Sequence, residues 1–390
     1  MNKVFKTTSK VLANTFTILF GVITVGSSIA LDNASAINGA FNIPVQKVVI
    51  DENAEIKSYY DSDYFDVEDL RKASEDIVEE VMSEGLVMLK NDNNALPLKA
   101  NATISLYSAN SVNFVYTGGG SSGANAKAVK KATTLKSGLE KSGFTVNKDL
   151  WDFYSSHEEY WQGTDFSGNQ SQNKSYRTKD APWSELPNAK NNKADAAIVV
   201  LSRSAGENRD MFESKNEVLD DSNNYLALSN NEKDILTNLK KLKDNGTIKK
   251  IIVLMNSANQ IQCDFVDNNE YSIDSLLWCG TTGSTGTIAI GKVLAGKVNP
   301  SGNLATTFFY KHSANPVYYN IGATEYGNAS NITSYRNGEN KYYVAYQEGI
   351  YNGYKYTETR YEDSILNKEN VGDFDYSKVV KYPFGYGLSY

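Results

Sequence analysis

The chain has 390 residues, room for one large or two ordinary domains and ample for a real core. Its 39 Lys and Arg against 46 Asp and Glu give a formal charge of −7, which argues against nucleic acid or an anionic membrane surface as the main partner. Histidine occurs only as His157 and His312, neither with a neighbour at metal-ligand spacing, so no metal or other cofactor is expected.

In chain order, Lys3, Lys6 and Lys10 flank an uncharged apolar stretch from Val11 to Leu31, and Ala34-Ser35-Ala36 follows as an A-x-A cleavage site. The stretch is long for a signal peptide and about right for one membrane crossing. Cleaved signal and uncleaved anchor both stay open over residues 1–36, and either exports the body of the protein. Residues 37–66 are polar and irregular, which suits a linker. Within them, Ser62-Asp63-Tyr64 resembles the nucleophile motif of certain glycosidases, but no strand precedes it to aim the aspartate.

From residue 67 the pattern becomes that of a folded domain running to 390. Leu70, Ile77, Val81 and Val87-Met88 are apolar at mostly helical spacing and predict a helix over 67–89. Ile104 to Tyr107 reads as a short strand, and Leu135 to Lys141 as a helix ended by Gly143. The Ser-, Asn- and aromatic-rich stretch from 155 to 192 reads as a surface excursion. The apolar run at 196–201 then predicts a buried strand. A helix over 230–242 follows, with Ser229 and Glu232 at capping-box spacing. Strands at 250–255 and 275–278 and a helix at 287–294, stopped by Gly296, complete the order. Strands alternating with helices of this length predict an α/β fold, a mostly parallel sheet sandwiched between helices. Cys263 and Cys279 are too few for a disulfide framework. They read as two buried thiols at strand ends or, on export, as one pair.

Three motifs bear on chemistry. Gly118-Gly119-Gly120-Ser121-Ser122-Gly123 spells the dinucleotide string, yet about ten residues separate it from the preceding strand. A flexible loop lining a cleft is the better reading, with nucleotide binding a remote third function. The strand at 196–201 runs on into Ser202-Arg203-Ser204-Ala205-Gly206-Glu207, with Asp210 close behind. In open α/β sheets chemistry gathers past the carboxyl ends of strands, which makes Glu207 a candidate acid. The last third is dense in tyrosine, and its rings beside glycines are either sugar-stacking platforms or packing for a domain end.

Taken in order, several segments resemble one family. They are Glu84-Gly85-Leu86-Val87-Met88-Leu89-Lys90-Asn91 with Leu96-Pro97-Leu98, the loop at 118–123, and Ser204-Ala205-Gly206-Glu207. After them come Gly296-Lys297-Val298-Asn299-Pro300-Ser301-Gly302, Glu348-Gly349-Ile350-Tyr351 with Gly353-Tyr354, and the ending Tyr382-Pro383-Phe384-Gly385-Tyr386-Gly387-Leu388-Ser389-Tyr390. Together they resemble the α/β-sandwich domain of glycoside hydrolase family 3, the β-glucosidase and β-xylosidase group, over roughly 68–390.

The resemblance implies a retaining O-glycosidase acting on β-linked glycosides, with Glu207 as general acid/base. Gly119, Gly120, Ser121, Ser122, Arg203 and Asp210 are then the expected substrate contacts. It also implies a nucleophilic aspartate on a separate (β/α)8 barrel, which this sequence lacks. The order of apolar segment followed by sandwich is similar to that of permuted members, and a barrel half supplied by another chain becomes an expected partner. A catalytically silent module that binds carbohydrate or a partner protein is the alternative.

Overall fold

The structure is a computed structural model and describes residues 3–34, 37, 63–118, 132–160, 180–187, 193–203, 225–320, 324–328, 342–343 and 345–390. The chain divides into two units, Met1–Phe65 and Asp66–Tyr390. The first contains helix α1 (Lys3–Asp32), whose span Thr7–Asp32 has a mean hydropathy of 1.6 and is long and apolar enough to cross a membrane.

The second unit opens with α2 (Val67–Gly85), begun by Asp66, whose carboxylate accepts from the amides of Glu68 and Asp69. Strand β1 (Val87–Asn91) follows directly, then β2 (Thr103–Tyr107), α3 (Leu135–Lys141), β3 (Thr145–Val146) and α4 (Lys148–Ser156). Next come β4 (Ala196–Arg203), α5 (Asn230–Asp244), β5 (Ile251–Ser257), β6 (Ser275–Trp278) and α6 (Thr287–Leu294). The last third holds the short β7 (Phe308–Phe309), β8 (Thr324–Glu325) and β9 (Tyr342–Tyr343), helices α7 (Tyr354–Ile365) and α8 (Tyr376–Val379), and β10 (Val380–Tyr382).

Six of these strands form one sheet in the order β1-β6-β5-β4-β2-β3, parallel throughout except for β1, which runs antiparallel to β6 at the edge. Every residue of β4 and β5 is buried, as strands covered on both faces must be. Side chains alternate between two cores. Ala197, Val199 and Leu201 join Val253 and Met255 under Leu150 and Tyr154 of α4 and Ile235, Leu236 and Leu239 of α5. Ile198 and Val200 join Ile252 and Leu254 under Leu135 and Leu139 of α3 and Ile290 and Val293 of α6. On that second face α3 and α6 meet backbone to backbone. A methyl group built on Gly291 would sit 2.5 Å from the Gly138 carbonyl, so only glycine permits the approach.

The expected sandwich is therefore present, with three local differences. The helix over 67–89 ends at Gly85, and Val87–Asn91 is an edge strand instead. Leu70, Ile77 and Val81 face solvent, because α2 meets the domain through Met82 and Val78, seated on Gly286 and Gly283. The surface excursion at 155–192 begins inside α4, and its described part at 180–187 returns to the core. There Ala181 and Leu186 are buried and Trp183 stacks on Tyr107, ring centroids 5.8 Å apart.

Cys263 and Cys279 are both buried and free, and they belong to the cores on opposite faces of the sheet. Burial pushes both thiols up, so they are inert packing groups, not a bridge.

Candidate active site

The parallel strands β2, β4, β5 and β6 all end at one edge of the sheet, and β4 and β5 close on polar residues although both strands are otherwise apolar. Ser202 and Arg203 of β4 pair in register with Asn256 and Ser257 of β5, and all four are essentially inaccessible to solvent. Burying polar groups costs free energy unless they are hydrogen-bonded. Here the bonds tie the strand ends to the segments that leave them.

Asn256 is the hub on β5. Its Oδ1 accepts from the Val115 amide at 2.6 Å and the Ser202 hydroxyl at 3.0 Å. Its Nδ2 donates to the Val115 carbonyl at 2.9 Å and the Gly280 carbonyl at 2.7 Å. One carboxamide thus fixes the stretch leading to the glycine-serine loop against the ends of β4, β5 and β6. Gly118 is the last described residue of that stretch; Gly119, Gly120, Ser121 and Ser122 lie outside the described residues.

Arg203, the last residue of β4, is the hub on the other side. Its Nη1 and Nη2 each donate to a carboxylate oxygen of Glu232 at 2.8 Å. The remaining donors reach the carbonyls of Tyr225 at 2.7 Å, Ser202 at 2.8 Å and Ala227 at 2.7 Å. All five guanidinium N–H groups are engaged inside the protein. The expectation that Arg203 touches substrate thus meets a fully buried side chain with no donor to spare. Glu232 closes the network: it is the third residue of α5, and its Oε2 also accepts from the Ser229 amide, completing the capping box. Glu207 and Asp210 lie outside the described residues, four and seven positions beyond Arg203.

A second buried carboxyl flanks this edge. Asp180 accepts from the amides of Ala109 at 3.1 Å and Ala181 at 2.8 Å, just past the end of β2. Burial outweighs those bonds and pushes its carboxyl up to about 6. His312 is likewise buried, with its imidazole held down at about 4 by desolvation. No motif singled out Asn256 or Asp180, and Glu232 was legible as a helix cap but not as the partner of Arg203. The one available signal was a polar residue closing an apolar run, as in Met255-Asn256.

The aromatic ending has a packing role in this structure. The Leu388 amide donates to the Met88 carbonyl at 2.8 Å, the Leu304 amide to the Tyr386 carbonyl at 2.9 Å and the Gly385 amide to the Leu304 carbonyl at 2.8 Å. Gly302 lies against the Leu86 carbonyl and Gly387 against the Gly302 carbonyl, so a Cβ at either would fall within 2.6 Å of backbone. The Asn299–Gly302 turn and the C-terminal segment therefore lock β1 to the end of the chain.

Comparison with known proteins agrees with this architecture. Residues 86–354 match the glycosyl hydrolase family 3 C-terminal domain. A β-glucosidase of Ruminococcus albus is 30% identical over 318 residues, covering 80% of this chain and 28% of that protein. β-Glucosidase A of Butyrivibrio fibrisolvens is 28% identical over 337 residues, covering 80% and 34%. The chain thus spans about a third of the length of these curated relatives. Among solved structures, β-glucosidase 3B from Thermotoga neapolitana in complex with glycerol superposes with a TM-score of 0.59 at 25% identity, covering 84% of this chain and 39% of that one. A mostly parallel sheet flanked by helices and a family match over residues 86–354 lead to one assignment: the chain belongs to glycosyl hydrolase family 3, whose C-terminal domain it carries.

Proposed function

We propose that this chain supplies the acid/base half of a β-glucosidase-like, retaining O-glycosidase, exported through its N-terminal helix. The observation that carries the reading is the anchoring of Arg203 at the carboxyl edge of the sheet. Chain connectivity keeps the Glu207 Cα within about 14 Å of that anchor, where ligands of open α/β sheets gather. The family match supports the assignment of Glu207. The β-glucosidase relatives support a β-linked glycoside as substrate.

Glu207 protonates the leaving glycosidic oxygen in the first step. In the second its carboxylate takes a proton from the water that releases the sugar. The nucleophile is an aspartate on a barrel half, held about 5 Å from the acid across the scissile bond. Asp210 orients or charge-tunes Glu207, and Gly119, Gly120, Ser121 and Ser122 border the sugar.

The test is combination. The 390-residue chain alone, assayed on aryl β-glucosides and β-xylosides, turns over negligibly, and a separately expressed family barrel restores turnover that Glu207→Gln abolishes. A silent binding module is the outcome if the combination stays inactive while the chain retains affinity for the glycoside. Turnover by the chain alone, lost in Glu207→Gln, would contradict the division of the site.

A further inference from the structure

We infer that the buried Arg203–Glu232 pair is a positioning device for residues 204–224, holding both ends of that segment at one point on the carboxyl edge. The inference rests on the reading of Glu207 given above, since that segment contains it. The geometry is unusual for a simple ion pair. Arg203 is the residue from which the segment departs, and its guanidinium donates to the carbonyls of Tyr225 and Ala227, to which the chain returns. The same fork is held bidentate by Glu232, whose Oε2 also binds the Ser229 amide. Strand end, return segment and the N-terminus of α5 thus converge on one planar group.

Three considerations favour positioning over bulk stability. Removing two charges from water is expensive, and apolar residues of similar volume stabilise a core at least as well. Glu232 is already satisfied as a capping-box residue, so α5 does not need the arginine. The bonds to Tyr225 and Ala227 demand donors in the fixed directions of a guanidinium, which lysine lacks. A general acid works only if its oxygen returns to the same place in each turnover, and closing its loop at the base limits where that oxygen can go.

The experiment uses the full chain carrying Glu232→Gln, Arg203→Lys or the double change Arg203→Met with Glu232→Leu. Hydrogen exchange is followed in the chain alone, and glycoside hydrolysis with the barrel half supplied. Glu232→Gln keeps the capping acceptor and loses the charge. Exchange over the return segment 225–229 should rise at least 10-fold beyond any change in β5, and kcat on poor leaving groups should fall about 10-fold or more at unchanged KM. Activated aryl glycosides should suffer less. The double variant should regain the wild-type Tm but not the lost kcat.

Recovery of both Tm and kcat in the double variant would make the pair merely structural and overturn the inference. So would unchanged exchange over 225–229 in Glu232→Gln. Glu207→Ala run in parallel separates the two layers: if it leaves poor-leaving-group hydrolysis intact, the reading of Glu207 fails. The exchange measurement still decides the clamp.

Discussion

The middle of the sheet and its carboxyl edge are built from the same two strands by opposite means. Along β4 and β5, residues 196–201 and 251–255 are apolar and alternate between two cores, so each contributes through area removed from water. Within one or two residues the same strands become Ser202, Arg203, Asn256 and Ser257, as deeply buried but polar. In the middle many side chains of the right volume would serve. At the edge, donor direction and count are fixed, because Asn256 and Arg203 each bind segments that arrive from elsewhere in the chain. The middle confers stability, whereas the edge fixes where loops begin.

Three probes test that contrast, in falling order of expected size. Leu254→Ala, in the packed middle, should cost about 3–5 kcal/mol in urea unfolding, the transfer term plus a cavity. Protection of amides around Val115 should fall no more than that global loss requires. A loss below about 1 kcal/mol would mean that this core is not close-packed.

Asn256→Ala should cost about 2–4 kcal/mol, because the Val115 amide and the carbonyls of Val115 and Gly280 lose their partner. Its distinguishing mark is local: exchange over 113–118 should rise beyond the global change. Equal effects on 113–118 and on β5 would erase the distinction between edge and middle.

The third probe is pH. Asp180 sits at about 6 in the fold against about 4 unfolded, so its contribution is present below the unfolded value and is lost as pH rises through 6. His312 sits at about 4 against about 6.5, so its contribution is present above the unfolded value and is lost as pH falls through 4. Between pH 4 and 7 the two slopes oppose each other. Relative to wild type, Asp180→Asn should therefore lose stability on acidification from pH 7 to 4, by on the order of 2–3 kcal/mol. His312→Gln should gain by a similar amount. Parallel pH profiles for wild type and both variants would contradict the assignment of these two buried groups.

The elements of the middle were largely legible because their signals are local. The apolar run before Ser202, the capping box of Ser229 and Glu232, and Gly296 beyond α6 each lie within a few residues of what they determine. Strand β1 was not legible as a strand, since Val87 and Met88 continue the apolar spacing of α2. Only pairing with β6, nearly 190 residues later, makes it one. The buried face of α2 was misassigned for a related reason. Its partners Gly283 and Gly286 admit close approach without any apolar side chain to advertise it. Glu207, which lies outside the described residues, was nominated from a strand end and a family motif. The pairings that fix the edge were not legible, because Arg203 finds Glu232 across 29 residues and Asn256 finds Val115 across 141. Periodicity carries no information about such partners.

The central claim is that Glu207 works as a general acid/base delivered from the carboxyl edge. The most direct measurement is the leaving-group dependence of Glu207→Ala in the chain combined with a separately expressed family barrel. Hydrolysis of glycosides with poor leaving groups should slow by roughly 10²–10⁴-fold, the usual worth of a positioned acid, while activated aryl glycosides lose far less in their first step. Added azide should restore turnover by attacking the glycosyl-enzyme without a base. Equal losses for good and poor leaving groups, with no rescue by azide, would contradict the account.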